Sequence, residues 1–188
     1  MPILGTLASQ FSGKSFSSFE SIQTVTVGSG GSSSISFTSI PATYTHLQIR
    51  GIGRTDRSEG NQDALKIRYN SDTGNNYAIH YLLGNGSSVS AGASTGISGV
   101  FADGITNTNS AANCFGAFVI DILDYANTNK YKTNRALSGR EDNTVGAGWF
   151  ESGLWVNTNA ISSITIIPNS GPNFLQYSQF ALYGIKGT

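Results

Sequence analysis

The chain has 188 residues, zero formal net charge and only 12% charged residues, about half the roughly 25% usual for soluble domains. It holds 23 Gly, and its 26 Ser, 17 Thr and 16 Asn make up nearly a third of it, yet 38% of residues are apolar, among them 10 Phe, 8 Tyr and 2 Trp. These values argue against a disordered chain, a phosphate-gripping nucleic-acid protein and a disulfide framework, and no apolar run nears the roughly 20 residues of a membrane helix.

Residues 1–18 mix Gly, Ser and Phe without period and read as an extended N-terminal arm. Met1–Gln10 has no basic start and too short an apolar stretch for a secretory signal. Chain ends are commonly loose. As an arm packing on a neighbouring subunit, it would be anchored by Ile3, Leu4, Leu7, Phe11 and Phe16, with Phe19 following.

Residues 19–188 read as a single domain of strands and turns. Leu47 and Ile49 alternate with His46, Gln48 and Arg50. Leu65, Ile67 and Tyr69 alternate with Lys66 and Arg68, and Tyr77, Ile79, Tyr81 and Leu83 with Ala78, His80 and Leu82. Ile164 and Ile166 repeat the pattern beside Ser163 and Thr165. Period-2 alternation of this kind is the mark of half-buried strands. Phe115–Leu123 and Phe180–Ile185 are apolar on both faces, which predicts central strands covered on both sides. Gly28–Gly31, Asn70–Gly74, Gly84–Gly86 and Asn169–Pro172 carry the chemistry of tight turns. Asn-Thr-Asn recurs at 107–109, 127–129 and 157–159 at unequal spacing, which reads as turns. About nine to eleven short strands predict an all-β antiparallel β-sandwich, with a jelly roll the best single topology.

The residues that could carry chemistry have bland readings. The charges from Arg50 to Arg68 alternate in sign and predict a salt-bridged loop. A glycosidase would need two carboxylates facing one sugar bond, and Asp56, Glu59 and Asp63 are the nearest approach to that. Asp121 and Asp124 lie on opposite faces of an extended chain. Asp124 then begins a turn, and Arg135 or Arg140 is a partner for Asp121. His46 and His80 lack a third zinc ligand nearby. Cys114 reads as a small buried residue. Asn70–Asn75 resembles the start of a calcium loop but has Tyr81 where the loop needs its glutamate. Gly51-Ile-Gly53 lacks the third glycine and the helix of a dinucleotide site. Trp149 and Trp155, in a Gly- and Asn-rich stretch, either fill the core or stack on a glycan or partner. No catalytic residue, metal or cofactor is assigned.

Four segments together resemble a known group. They are Phe37–Gly51, with its Phe-x-x-Ile-Pro-x-x-Tyr-x-x-Leu-x-Ile pattern, Asn76–Tyr81, Phe118–Lys132 and the ending Ser178–Gly187 (SQFALYGIKG). They resemble structural proteins of tailed-bacteriophage virions of the marine-phage type, from about Val25 to Gly187. The resemblance carries over no catalytic residues. It implies a non-enzymatic protein on the outer surface of the virion, either a capsid decoration (cement) protein or a tail fibre or adhesin. The expected partners are further copies of the chain, as a homotrimer, and the major capsid protein or tail proteins. A host-surface glycan is the alternative partner, with a carbohydrate-binding module as the competing reading; neither nucleic acid nor membrane insertion is expected.

Overall fold

The computed structural model describes residues 18–143 and 145–187. Ile3, Leu4, Leu7, Phe11 and Phe16 of the expected arm lie outside the described residues. Within them the chain forms twelve strands and no helix. These are β1 (Phe19–Thr26), β2 (Ile35–Phe37), β3 (His46–Gly53), β4 (Asp63–Tyr69), β5 (Tyr77–Gly84) and β6 (Val89–Ile97). The second half adds β7 (Val100–Ile105), β8 (Gly116–Leu123), β9 (Lys132–Glu141), β10 (Gly146–Trp155), β11 (Ile164–Pro168) and β12 (Gln179–Ile185).

The strands form two antiparallel sheets packed face to face. The larger has the order β1-β12-β3-β8-β9-β10-β5-β6, and the smaller β2-β11-β4-β7. Eight strands follow jelly-roll connectivity. Setting aside the β9–β10 hairpin and counting from β2, the first, eighth, third and sixth strands make the smaller sheet. The second, seventh, fourth and fifth keep that order in the larger one, where β9 and β10 are inserted between β8 and β5. Strands β12 and β1 extend the sheet beyond β3. The expected β-sandwich and jelly roll are both present.

Alternation places the core. Leu47 and Ile49 of β3, Leu65 and Ile67 of β4, Ile120 and Ile122 of β8 and Ile164 and Ile166 of β11 all lie fully buried between the sheets. Each such side chain contributes about 1.5–3 kcal/mol when withdrawn from water. Strands β8 and β12 are central by pairing, as their apolar content predicts, but β8 is covered on one face only. Ala117 on its outer face is exposed, and Val119, Asp121 and Leu123 are half-exposed. Phe19 is a sheet residue: its ring stacks on Tyr183 at 4.7 Å, and the Arg50 guanidinium lies 5.1 Å above it.

Turns sit where the composition places them. Asn70 and Ser71 both have positive φ (51° and 57°), and Asp72 N–H donates to Tyr69 O at 2.9 Å, which defines a type I′ turn. The three Asn-Thr-Asn segments share one device. In each, the first Asn side-chain oxygen accepts the third Asn N–H, at 3.0, 2.8 and 2.9 Å. These are Asx turns, in which a side chain imitates the backbone of a turn. Fully buried Lys132 ties two of them together, its Nζ donating to the carbonyls of Asn127, Lys130 and Thr158.

Loop residue Phe174 closes one end of the sandwich. It is fully buried, bridges to Ser32 and Thr55, and packs edge-on against Phe180 at 4.9 Å. Phe174→Ala is expected to cost about 3–5 kcal/mol, as much as a strand core residue. The midpoint of urea unfolding measures it, and a loss below about 1 kcal/mol would show a loop that repacks.

Candidate functional sites

The singled-out residues do not converge on one centre. Trp155 is 1% exposed and stands in an aromatic trio with Tyr69 and Tyr77, at centroid distances of 5.7 and 6.1 Å. Its Nε1–H donates to Asp72 Oδ2 at 2.8 Å. Trp149 is 4% exposed, and Gly104 at φ +80° leaves room for its ring, since a Cβ there would lie 2.8 Å from it. Both tryptophans take the core alternative, and neither offers a ring face to a glycan. The calcium-like loop is organised by Asp72, which accepts Gly74 N–H and Asn76 Nδ2–H at 2.8 Å each. Those bonds, led by Asn76, hold its carboxyl below the usual range.

The charges from Arg50 to Arg68 form no ion pair with one another among the described residues. The expected salt-bridged loop is instead a set of charges bonded to neutral groups. Arg54 donates to the carbonyls of Ser110, Ala111 and Cys114 at 2.7–3.0 Å. Asp56 accepts the Asn173 N–H and side-chain amide, both at 2.8 Å. Asp63, 1% exposed, accepts from Thr55 Oγ1 and from the N–H groups of Ala64, Ser170 and Gly171. Asp121 accepts from Gln48 Nε2 at 2.6 Å; Arg135 lies opposite it in register. Asp124 begins its turn at φ 47°, pairs with Lys130 at 2.6 Å and donates its N–H to His46 Nδ1 at 3.0 Å. His80 is exposed, and Cys114 is a half-buried free thiol. Among the described residues no group of three His, Cys, Asp or Glu could hold a metal.

Two arrangements emerge only in three dimensions. The first is the outer face of the larger sheet. Register places Leu82 of β5, Phe150 of β10, Leu137 of β9 and Val119 of β8 in one row across four adjacent strands. Leu82 and Phe150 are each 49% exposed and Leu137 is 64% exposed. The next outward row runs through Gly84, Gly148 and Gly139, ending on Ala117 and Ile52. An apolar ridge thus stands beside a glycine-floored trough. Exposed apolar patches of this kind mark contact surfaces.

The second is a carboxyl pair where β7 packs on β10, with Glu151 buried and Asp103 half-buried. Glu151 of β10 points inward, 1% exposed, and its Oε2 accepts Asp103 N–H from β7 at 3.0 Å. Burial, then the hydrogen bond and charge of Asp103, push Glu151 up to about 9. Burial likewise raises Asp103, and Asp63 adds to the effect. Around the pair, Glu151 Oε1, Ser138 Oγ and both amide atoms of Asn134 are buried without a protein partner. Neighbouring carboxyls shielded from water cannot both ionise cheaply, which favours the protonated form of each. Asp103 and Glu151 carry no local motif, and only the packing of β7 over β10 brings them together.

No known family, curated protein or solved structure matches the chain.

The carboxyl pair sets a pH dependence. Glu151 has a folded value near 9 against an ordinary value of 4.5, so the folded state holds a proton that the unfolded chain releases. This contribution to stability is fully present below pH about 4.5 and is lost as pH rises toward 9, by at most about 1.4 kcal/mol per pH unit. Glu151→Gln is expected to flatten this fall and to be more stable than wild type at pH 9. Thermal unfolding at pH 5, 7 and 9 tests this; parallel profiles for the two proteins would remove the pair as the cause.

Proposed function

We propose that the chain is a non-enzymatic structural protein on the exterior of a tailed-phage particle, acting as a capsid decoration (cement) protein. The observation that carries this reading is the outer face of the larger sheet, with its Leu82–Phe150–Leu137 ridge and glycine trough. Such a face surrenders little hydration on contact and gains apolar burial, which is the chemistry of a subunit interface core. The likeness of Val25–Gly187 to virion structural proteins supports the location. The fold alone does not, since jelly rolls serve many functions. The partner for the ridge is a neighbouring capsid subunit, with copies of this chain gathered as a homotrimer.

Quantitative mass spectrometry of purified virions tests the role. Hundreds of copies per particle are expected; a few dozen would assign the chain to the tail, and none would overturn the reading. The face is tested by Phe150→Lys combined with Leu137→Lys. Loss of a central apolar anchor typically costs 2 kcal/mol or more, so incorporation should weaken at least about 30-fold. The unfolding midpoint should stay near wild type, because both side chains are exposed.

A further inference from the structure

A cavity of about 450 Å³ lies at the end of the sandwich where β3 leaves and β8 and β12 begin. Three tight turns border it: Gly28–Gly31, Ala111–Cys114 and Leu175–Ser178, each closed by an N–H to C=O bond of 3.1–3.3 Å. In two of them the third residue has positive φ, Asn113 at 64° and Tyr177 at 72°. That geometry is a type II turn, whose third position normally belongs to Gly or Asn. Asn113 fits the rule. Tyr177 breaks it, holding a bulky ring in a strained conformation and leaving the residue 65% exposed at the cavity wall.

The charge on the walls narrows the ligand class. Both charged side chains in the lining are already engaged. Arg54 is spent on three main-chain carbonyls and Asp56 on Asn173. What remains for a ligand is an exposed aromatic ring and the exposed amides of Asn113 and Gln176. A ring face takes an apolar C–H surface, and planar amides give and accept hydrogen bonds with neutral hydroxyls. With one positive and one negative side chain, the lining carries no net charge to select a charged ligand. We propose that this cavity binds a neutral oligosaccharide, with Tyr177 as the stacking platform and Asn113 and Gln176 as hydrogen-bonding partners. The site does not depend on the outer-face ridge or on the assembly role.

The conformation at Tyr177 supplies its own control. Tyr177→Gly removes the ring and relieves the positive φ, so its melting temperature should equal or exceed that of wild type. Tyr177→Phe keeps the ring. On an array of neutral and sialylated oligosaccharides, followed by titration calorimetry of the strongest neutral signal, wild type and Tyr177→Phe should bind. Tyr177→Gly should lose at least tenfold in affinity, and Gln176→Ala should weaken binding at unchanged stability. The proposal is overturned by the absence of any neutral-glycan signal, by binding confined to sialylated glycans, or by full affinity in Tyr177→Gly.

Discussion

A sheet of eight strands is covered by a sheet of four, and most of what distinguishes this protein follows from that inequality. Strands lie about 4.8 Å apart, so the smaller sheet spans roughly half the width of the larger. The cover ends partway along β5. Tyr77 and Ile79 are buried, while Tyr81 and Leu83, on the same face, are only half-buried. Strand β6, beyond it, is largely exposed on both faces. Beneath the margin of the cover, where β7 lies over β9 and β10, the interior is polar. The inward residues of β9 include Lys132, Asn134, Ser138 and Arg140. An apolar core at this point would require a wider second sheet, and the carboxyl pair occupies the boundary.

The loops are fastened by a common strategy that explains the scarcity of charge. Several ionic groups are used singly, each surrounded by neutral donors or acceptors. Lys132 meets three carbonyls, Arg54 three more, and Asp63 three main-chain N–H groups and a hydroxyl. A buried polar group without partners is costly, and hydrogen bonds to charged groups are among the stronger ones. One well-placed charge therefore organises several turns. Ser, Thr and Asn supply the rest through side chains that imitate the backbone.

The fold was readable in the sequence to the extent that strands were half-buried. Alternation placed Leu47, Ile49, Leu65, Ile67, Ile164 and Ile166 in the core, because a period of two on a sandwich strand has one meaning. Strand β6 gave no such signal: Val89–Ile97 is built mostly of Ser, Ala and Gly and buries neither face. The expectation of double coverage for β8 failed because Val119 and Leu123 belong to a half-exposed outer surface rather than to a second layer. The ion pairs expected within residues 50–68 failed because neighbouring turns, distant in sequence, reach those charges first. The two tryptophans proved to be core. Neither the Asp103–Glu151 pair nor the wall around Tyr177 has a sequence signature, since each is assembled from strands or loops that meet only across the sandwich.

The β9–β10 hairpin stands apart from the eight-strand connectivity, inserted between strands that would otherwise be neighbours. Leu137 and Phe150 of the outer ridge lie on it, as do two of the three trough glycines and buried Glu151 of the carboxyl pair. The outer apolar ridge and the inward carboxyl are therefore encoded in one short contiguous stretch of chain. Such a stretch can diverge, or be exchanged by recombination, while the scaffold keeps its connectivity. Variation in the outer face need not alter how the sandwich is wound.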